Sequence, residues 1–200
     1  MGAVEDAVKA LEAGQVVVLP TDTVYGLCAG PSHEAAVEEI YRLKRRPRSQ
    51  PLALICADVG VLLEQLPELG GRASLIVRAL LPGSYTLVLP NPARRFPSLT
   101  GDGPEAIGVR VPELSGDAAE IVHSAGAVAS TSANLHDRPD PRRLEEVPEE
   151  IRTGCAALVD GGQLPGTPST VLDFTGTEPR VLREGSAPSA EALERVAAFV

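Results

Sequence analysis

Three segments carry residue types from which chemistry can be built. The first, Pro20-Thr21-Asp22-Thr23-Val24-Tyr25-Gly26-Leu27, follows directly on the apolar run Val16 to Leu19. Ligands of α/β proteins gather beyond strand ends, and two threonines with an aspartate offer hydroxyls and a carboxylate to a small polar molecule. The same residues would equally build an ordinary turn held by Thr hydroxyls. The second, Arg42-Leu43-Lys44-Arg45-Arg46-Pro47-Arg48, puts five cations into seven residues. Such a run suits a polyphosphate, whose oxygens Lys and Arg neutralise and Arg can grip bidentately. It suits a solvated helix end as well, where cations complement the negative dipole terminus. The third, Ser130-Thr131-Ser132-Ala133-Asn134, leaves the apolar run Ala127 to Ala129 with three hydroxyls and an amide, uncharged donors and acceptors for a phosphate, a ribose or a base edge. A helix N-cap would use the same residues.

Arg110, Ser169 and Arg183 complete the candidates. Arg110 lies inside Ile107-Gly108-Val109-Arg110-Val111-Pro112, and a lone arginine in an apolar strand must reach water, a carboxylate or a ligand. Ser169 opens Pro168-Ser169-Thr170-Val171, and Arg183 sits in Val181-Leu182-Arg183-Glu184-Gly185. Other chemistries lack their residues. There is no G-x-x-x-x-G-K-[ST], no G-x-G-x-x-G after a strand and no G-x-S-x-G elbow. His33, His123 and His136 lack metal-ligand spacing, and Cys28, Cys56 and Cys155 contain no C-x-x-C, so neither a protein-held metal nor a disulfide framework is encoded. If the clusters form one site, it binds an anion and a small zwitterion without a covalent nucleophile.

The elements that must position these residues alternate. Val4 to Leu11 has helical spacing and stops at Gly14; Val16 to Leu19 reads as a buried strand. Ser32 is the expected N-cap of a helix ending near Arg46, ahead of Pro47. Leu52 to Cys56, Tyr85 to Leu89, Ile107 to Val111, Ala127 to Ser130, Ala156 to Val159, Ser169 to Phe174 and Arg180 to Leu182 read as strands. Helices are expected over Asp58 to Leu66, Arg72 to Leu81 and Ala118 to Ser124, with a closing helix near 189–199. The polar stretch Asp137 to Arg152 looks helix-like. Alternation of this kind means an α/β fold, and the late strands, which follow one another without long helices, favour a mixed sheet.

The 200 residues carry 18 Lys+Arg against 27 Asp+Glu, a formal charge of −9, and are 44% hydrophobic. A domain of this length buries roughly 70% of the surface its unfolded chain exposes and needs no metal or disulfide to hold a core. The whole of 1–200 reads as one domain, with its core over about 5–186. A surface that is basic throughout, as a general nucleic-acid binder needs, is excluded. No apolar run approaches the roughly 20 residues of a membrane span and the N-terminus has no basic leader, so no membrane partner and a cytoplasmic location are expected, with which the odd number of cysteines agrees.

In order along the chain, PTDTVYGL, KRRP with P-L three residues beyond its proline, PGSYTLVL, IGVRVP, STSAN, PSTV and VLREG closely resemble the YrdC/TsaC family of threonylcarbamoyl-AMP synthases, over about Val16 to Gly185. The resemblance implies a single YrdC-like domain, a twisted mixed sheet flanked by helices around a concave, positively charged cleft. It implies a nucleotidyltransferase that makes threonylcarbamoyl-AMP and pyrophosphate from L-threonine, bicarbonate or CO₂, and ATP, with Mg²⁺ accompanying the ATP. The product would serve the threonylcarbamoyladenosine modification of tRNA, which brings tRNA and downstream threonylcarbamoyl-transferase proteins into view as partners. Carried over by motif, Thr23, Arg110, Ser130 and Ser169 are the L-threonine contacts, and Lys44, Arg46, Ser132, Asn134 and Arg183 the nucleotide contacts, with Lys44 and Arg46 acting in catalysis by neutralising charge. Both are expected at the surface.

Ile55, Ala106 and Gln50 depart from the family pattern, in place of a frequent histidine, hydroxyl and asparagine. PGSYT, IGVRVP, STS and REG lean toward the YciO-type paralogues, whereas Asn134 and PSTV are as the synthases have them. Longer members add a C-terminal domain that is not expected here. The alternative readings are a YciO-type paralogue and a non-catalytic module binding tRNA or double-stranded RNA through Arg42 to Arg48. Single-strand readers add aromatic platforms, and three tyrosines and three phenylalanines, none among those arginines, supply few.

Overall fold

The computed structural model describes residues 2–199. Helix α1 (Ala3–Glu12) buries Ala7, Ala10 and Leu11 along one face. Strand β1 (Val17–Pro20) follows, buried throughout. The chain then reverses at once into β2 (Tyr25–Ala29), antiparallel to β1 with Pro20 opposite Tyr25. Sequence reading treats Pro20 to Leu27 as one loop; only Thr21 to Val24 is a turn. The aromatic and aliphatic side chains of Tyr25 and Leu27 belong to the core and draw the chain back into the sheet.

Helix α2 (Glu34–Lys44) presents the expected stripe of Ala36, Val37, Ile40 and Tyr41. Its ends differ from expectation. His33 rather than Ser32 occupies the N-cap, without a side-chain cap, and the helix stops at Lys44 rather than near Arg46. Arg45 turns left-handed (φ 54°, ψ 38°), and the amides of Arg45 and Arg46 close on Arg42 O (3.1 Å) and Tyr41 O (3.0 Å). This is a helix stop made by one left-handed residue, ahead of the proline.

Strand β3 (Ala53–Cys56), helices α3 (Val59–Gln65) and α4 (Gly71–Leu80), strands β4 (Tyr85–Pro90) and β5 (Ala106–Arg110), helix α5 (Gly116–Ala125) and strand β6 (Ala127–Ser132) come next. Asp58 caps α3 by accepting from Val61 N at 2.8 Å. The polar stretch 137–152 is not a continuous helix. Pro139, Pro141 and Pro148 interrupt it, leaving a 3₁₀ turn over Leu144–Glu146 and the short helix α6 (Glu149–Thr153). Strands β7 (Ala157–Leu158), β8 (Thr170–Asp173) and β9 (Arg180–Arg183) and helix α7 (Ser189–Val196) complete the chain.

Among the described residues the strands form one sheet in the order β7-β1-β2-β6-β3-β5-β4-β8-β9. The β7/β1, β3/β5 and β4/β8 pairs are parallel and the others antiparallel, so the sheet is mixed, as expected. Alternation along each strand then decides which face a side chain takes. On one face Leu27, Leu54, Leu87, Val109 and Leu172 pack with α2, α4 and α7 in the larger core. On the other, Val17, Leu19, Cys28, Ile55 and Val128 pack with α1 and α5. That helix pair covers the side of β1, β6 and β3. The rest of the second face is left to the site.

Candidate functional site

The uncovered part of the sheet forms the floor of a cavity of about 490 Å³, a size typical of small-molecule sites. Register explains its depth. Gly26 lies opposite Ser132, Ala53 opposite Ser130, and Gly108 opposite both Ala53 and Val88, all on the cavity face, so the middle of the floor carries little or no side chain. Polar residues at the strand ends surround it. Seven of the nine sequence-selected residues line this cavity: Thr23, Arg46, Arg110, Ser130, Ser132, Ser169 and Arg183.

Thr23 is held by the β1–β2 turn. Thr21 Oγ1 donates to Val24 O (2.7 Å), accepts from Thr23 N and Val24 N (3.2 Å each) and lies 3.0 Å from Thr23 Oγ1. Asp22, at the same turn, accepts from Arg110 Nη2 on Oδ1 and from Ser84 Oγ on Oδ2, each at 2.7 Å. The Arg110 and Asp22 side chains are only 9% and 7% exposed, and Arg110 Nε is buried without a protein acceptor. A buried donor left alone costs about 1–3 kcal/mol, a cost that the Nε atoms of Arg46 and Arg152 share.

Ser169 precedes β8, its Oγ 2.7 Å from Thr86 Oγ1. Arg183 clasps it, donating from Nε (3.1 Å) and Nη2 (2.8 Å) to Ser169 O and from Nη2 (3.3 Å) to its Oγ. Gly185 permits that approach: a Cβ there would stand 2.3 Å from Pro168 O and 2.4 Å from Ser169 C. Ser130 Oγ accepts from Cys28 Sγ at 3.3 Å. Burial pushes the Cys28 thiol up to about 11, so it is a neutral donor at physiological pH and no nucleophile.

The cationic run does not act as one patch. Arg42 pairs with Glu39, Arg45 with Glu150 and Arg48 with Glu38, and Arg48 also lies 5.0 Å above the Tyr41 ring. Arg46 alone of the five faces the cavity, where Nη2 donates to Pro51 O (3.0 Å) and Nε is buried without a protein acceptor. Burial draws Arg46 and Arg183 below the usual guanidinium range; the charge of Arg183 adds to this at Arg46, and that of Arg110 at Arg183. Three guanidiniums near enough to repel one another are relieved by a bound anion.

Lys44 corrects the surface expectation: it is 2% exposed. Its Nζ donates to Ser132 O (2.8 Å), Asn134 O (2.9 Å), Asn134 Oδ1 (2.5 Å) and Ser132 Oγ (3.3 Å). Asn134 Oδ1 also accepts from Ser132 Oγ (2.6 Å), and its amide donates to Arg138 O. Lys44 and Asn134 thus sit behind the wall, bracketing the end of α2 to the end of β6, and Ser132 is their face toward the cavity. Burial, then the charge of Arg46, pulls the Lys44 ammonium down to about 8.

Ile55 and Ala106 line the wall with apolar groups, while Gln50 is outside it, its amide 3.4 Å from His136 Nε2. Sequence reasoning did not single out Ser84, Thr86, Asp102 or Asp140. The first two lie in PGSYTLVL, where a polar residue at every second position was the available signal. Asp102 and Asp140 come from irregular loops that only the fold brings to the cavity. Among the described residues no group of three His, Cys, Asp or Glu is placed to hold a metal, and no helix is long and apolar enough to cross a membrane.

Comparison with known proteins agrees with this architecture. The Sua5_yciO_yrdC family model, described as "Telomere recombination", matches residues 9–185. The threonylcarbamoyl-AMP synthase of Bacillus subtilis is 35% identical over 184 residues, 91% of this chain and 53% of that protein. The chain spans about half the length of the first curated relatives it matches. The structure of P. abyssi Sua5 complexed with L-threonine superposes with a TM-score of 0.84 at 32% identity, covering 96% of this chain and 56% of that one. The crystal structure of E. coli YciO gives 0.81 at 27% identity, covering 96% and 92%. With the family model matched from residue 9 to residue 185 and these folds superposing over nearly all of it, this chain is a member of the Sua5/YciO/YrdC family.

Proposed function

We propose that this chain is an enzyme that condenses L-threonine, bicarbonate or CO₂, and ATP into threonylcarbamoyl-AMP and pyrophosphate. The observation that carries the reading is the convergence of Arg46, Arg110 and Arg183 with the hydroxyls of Thr23, Ser130, Ser132 and Ser169 on one cavity that holds no activated nucleophile. Its relatives' names and the threonine bound to P. abyssi Sua5 support the same substrates.

The chemistry needs no covalent enzyme intermediate. The threonine nitrogen adds to CO₂ and loses a proton, giving a carbamate. A carbamate oxygen then attacks the α-phosphorus of ATP, and the bond to the β,γ-pyrophosphate breaks with its electron pair leaving on pyrophosphate. Arg110 receives the threonine carboxylate, with Thr23, Ser130 and Ser169 around it. Arg46, Arg183 and Ser132 face the phosphates, and Lys44 and Asn134 hold Ser132 in place. Positioning and charge neutralisation suffice for such a transfer. Magnesium would enter with the triphosphate as part of the substrate, and Asp102 and Asp140 are the cavity carboxylates that would be available to it.

The product would feed threonylcarbamoyladenosine formation on tRNA through a downstream transferase in the cytoplasm. Pyrophosphate release from ATP that requires both L-threonine and bicarbonate is the expected result. Release that ignores threonine across a range of magnesium concentrations refutes the reading. Ile55 and Ala106 favour a second reading, a paralogue of the YciO type with another acceptor, because they replace polar groups on the wall; stimulation by an amino acid other than threonine would select it. An RNA-binding module is disfavoured, since the carboxylate partners of Arg42, Arg45 and Arg48 consume the basic face it would use.

A further inference from the structure

We infer that Asp22 is the residue that separates the two substrates, a positioning and specificity residue that keeps the triphosphate out of the amino-acid end of the cavity. The inference rests on the reading proposed above. Its starting point is a difference among the three cavity arginines. Arg110 is ion-paired to Asp22 with both side chains more than nine-tenths buried. Arg46 and Arg183, by contrast, donate only to protein oxygens that carry no charge: Pro51 O in one case, Ser169 O and Oγ in the other. Of the three, two are therefore cations without a bound carboxylate, and the third belongs to a neutralised pair.

Asp22 is not among the residues lining the cavity, and both of its carboxylate oxygens are engaged. Oδ1 is taken by Arg110 Nη2 and Oδ2 by Ser84 Oγ, so its work is done through Arg110. It does two things there. It holds the guanidinium at Nη2, which fixes the orientation of Arg110 in the cavity wall. It also cancels the charge that would otherwise make Arg110 a third phosphate site. A zwitterion matches such a pair, because its carboxylate is drawn to Arg110 and its ammonium to the Asp22 charge. A polyanion gains no net attraction from the pair, because the repulsion of Asp22 offsets the pull of Arg110. Discrimination by a repulsive element is a standard route to specificity. The carboxylates that line the cavity, Asp102 and Asp140, come from loops beyond β4 and β6, and the charge of Asp140 acts on Lys44 and Arg183.

The test uses the full chain, inorganic pyrophosphate as the probe and Asp22→Asn, a near-isosteric change whose amide oxygen can still accept from Arg110. Calorimetric titration with pyrophosphate, without nucleotide, should give one site per chain in the parent and two in the variant. The variant's second site should be displaced by L-threonine. In turnover, the KM for threonine should rise at least tenfold, more than kcat falls, and pyrophosphate should become competitive with threonine. A variant that keeps one pyrophosphate site, or in which the two ligands bind independently, overturns the inference. Should Asp22→Asn fail to give the parent's melting transition, Ser84→Ala decides. It removes one of the two partners that hold Asp22 and should raise the threonine KM about threefold; a folded Ser84→Ala protein with the parent's threonine KM and pyrophosphate stoichiometry also overturns it. Failure of the proposed reaction is read separately, in the parent, as pyrophosphate release without threonine dependence.

Discussion

Replacing Lys44 by methionine tests whether this lysine is a bracket within the wall. Methionine keeps most of the apolar stem and removes the ammonium. Two backbone carbonyls, Ser132 O and Asn134 O, then lose their donor, while Asn134 Oδ1 keeps Ser132 Oγ. At about 2 kcal/mol for each buried acceptor left alone, the loss is about 4 kcal/mol. Against it stands the cost of burying the charge. The ammonium falls from an ordinary 10.5 to about 8, which at 1.36 kcal/mol per unit amounts to roughly 3 kcal/mol at neutral pH. The variant is spared that cost.

The net destabilisation at pH 7 is therefore about 1 kcal/mol, and it should widen with pH. Between about 8 and 10.5 the unfolded chain binds a proton that the folded chain has lost, so the parent gains stability as pH rises through this window, and the variant lacks that gain. By pH 10.5 the difference approaches the full 4 kcal/mol or so of the orphaned carbonyls. Urea unfolding at pH 7 and pH 10, compared at constant m-value, measures it. A gap that is constant or shrinks with pH would refute the burial account of Lys44 and return it to the role of an accessible phosphate ligand.

Arg46→Ala should behave in the opposite way. It gives up one hydrogen bond to a carbonyl, worth about 1 kcal/mol of stability, but removes a cavity cation, so the KM for ATP should rise at least tenfold in a steady-state assay. Gly26→Ala would put a Cβ 3.0 Å from Ser130 Oγ and 3.4 Å from Cys28 Sγ; the expected result is a raised threonine KM with a melting temperature within a few degrees of the parent's. The three thiols, pushed up to about 11 for Cys28 and about 12 for Cys56 and Cys155 by burial, should resist a thiol reagent at pH 8 in the folded protein and react in urea. Rapid labelling of Cys28 without unfolding would contradict its placement beneath Ser130.

Much of the fold was legible because strand and helix signals are local. Val16 to Leu19, Leu52 to Cys56 and the stripe of Ala36, Val37, Ile40 and Tyr41 show their state within a few residues, and the structure departs from them by a residue or so at the ends. The strand at Tyr25 was hidden because its polar neighbours Thr21 to Thr23 read as loop, and the pairing that makes it a strand, Gly26 with Leu19 and with Ser132, lies outside its own segment. The stretch 137–152 misled in the other direction, its mixed charges imitating a helix that three prolines forbid.

For the site, residue type alone left each cluster open to a structural reading as a turn or cap, and it was the resemblance of the motifs that selected Thr23, Arg46, Arg110, Ser130, Ser132, Ser169 and Arg183, which line one cavity. What each does was beyond local reading. Whether a cation is a ligand, a surface ion pair or a buried bracket depends on what stands within a few ångströms of its charged atom. Arg42, Lys44 and Arg46 lie within five residues and have met three different fates: a carboxylate on the same helix, the carbonyls at the end of β6, and the cavity. The sequence by itself determined an α/β chain with hydroxyls and cations at its strand ends. Only the tertiary structure decided which of them share one cavity, since Arg110 is paired with Asp22, 88 residues away, and electrostatics follows distance in space rather than along the chain.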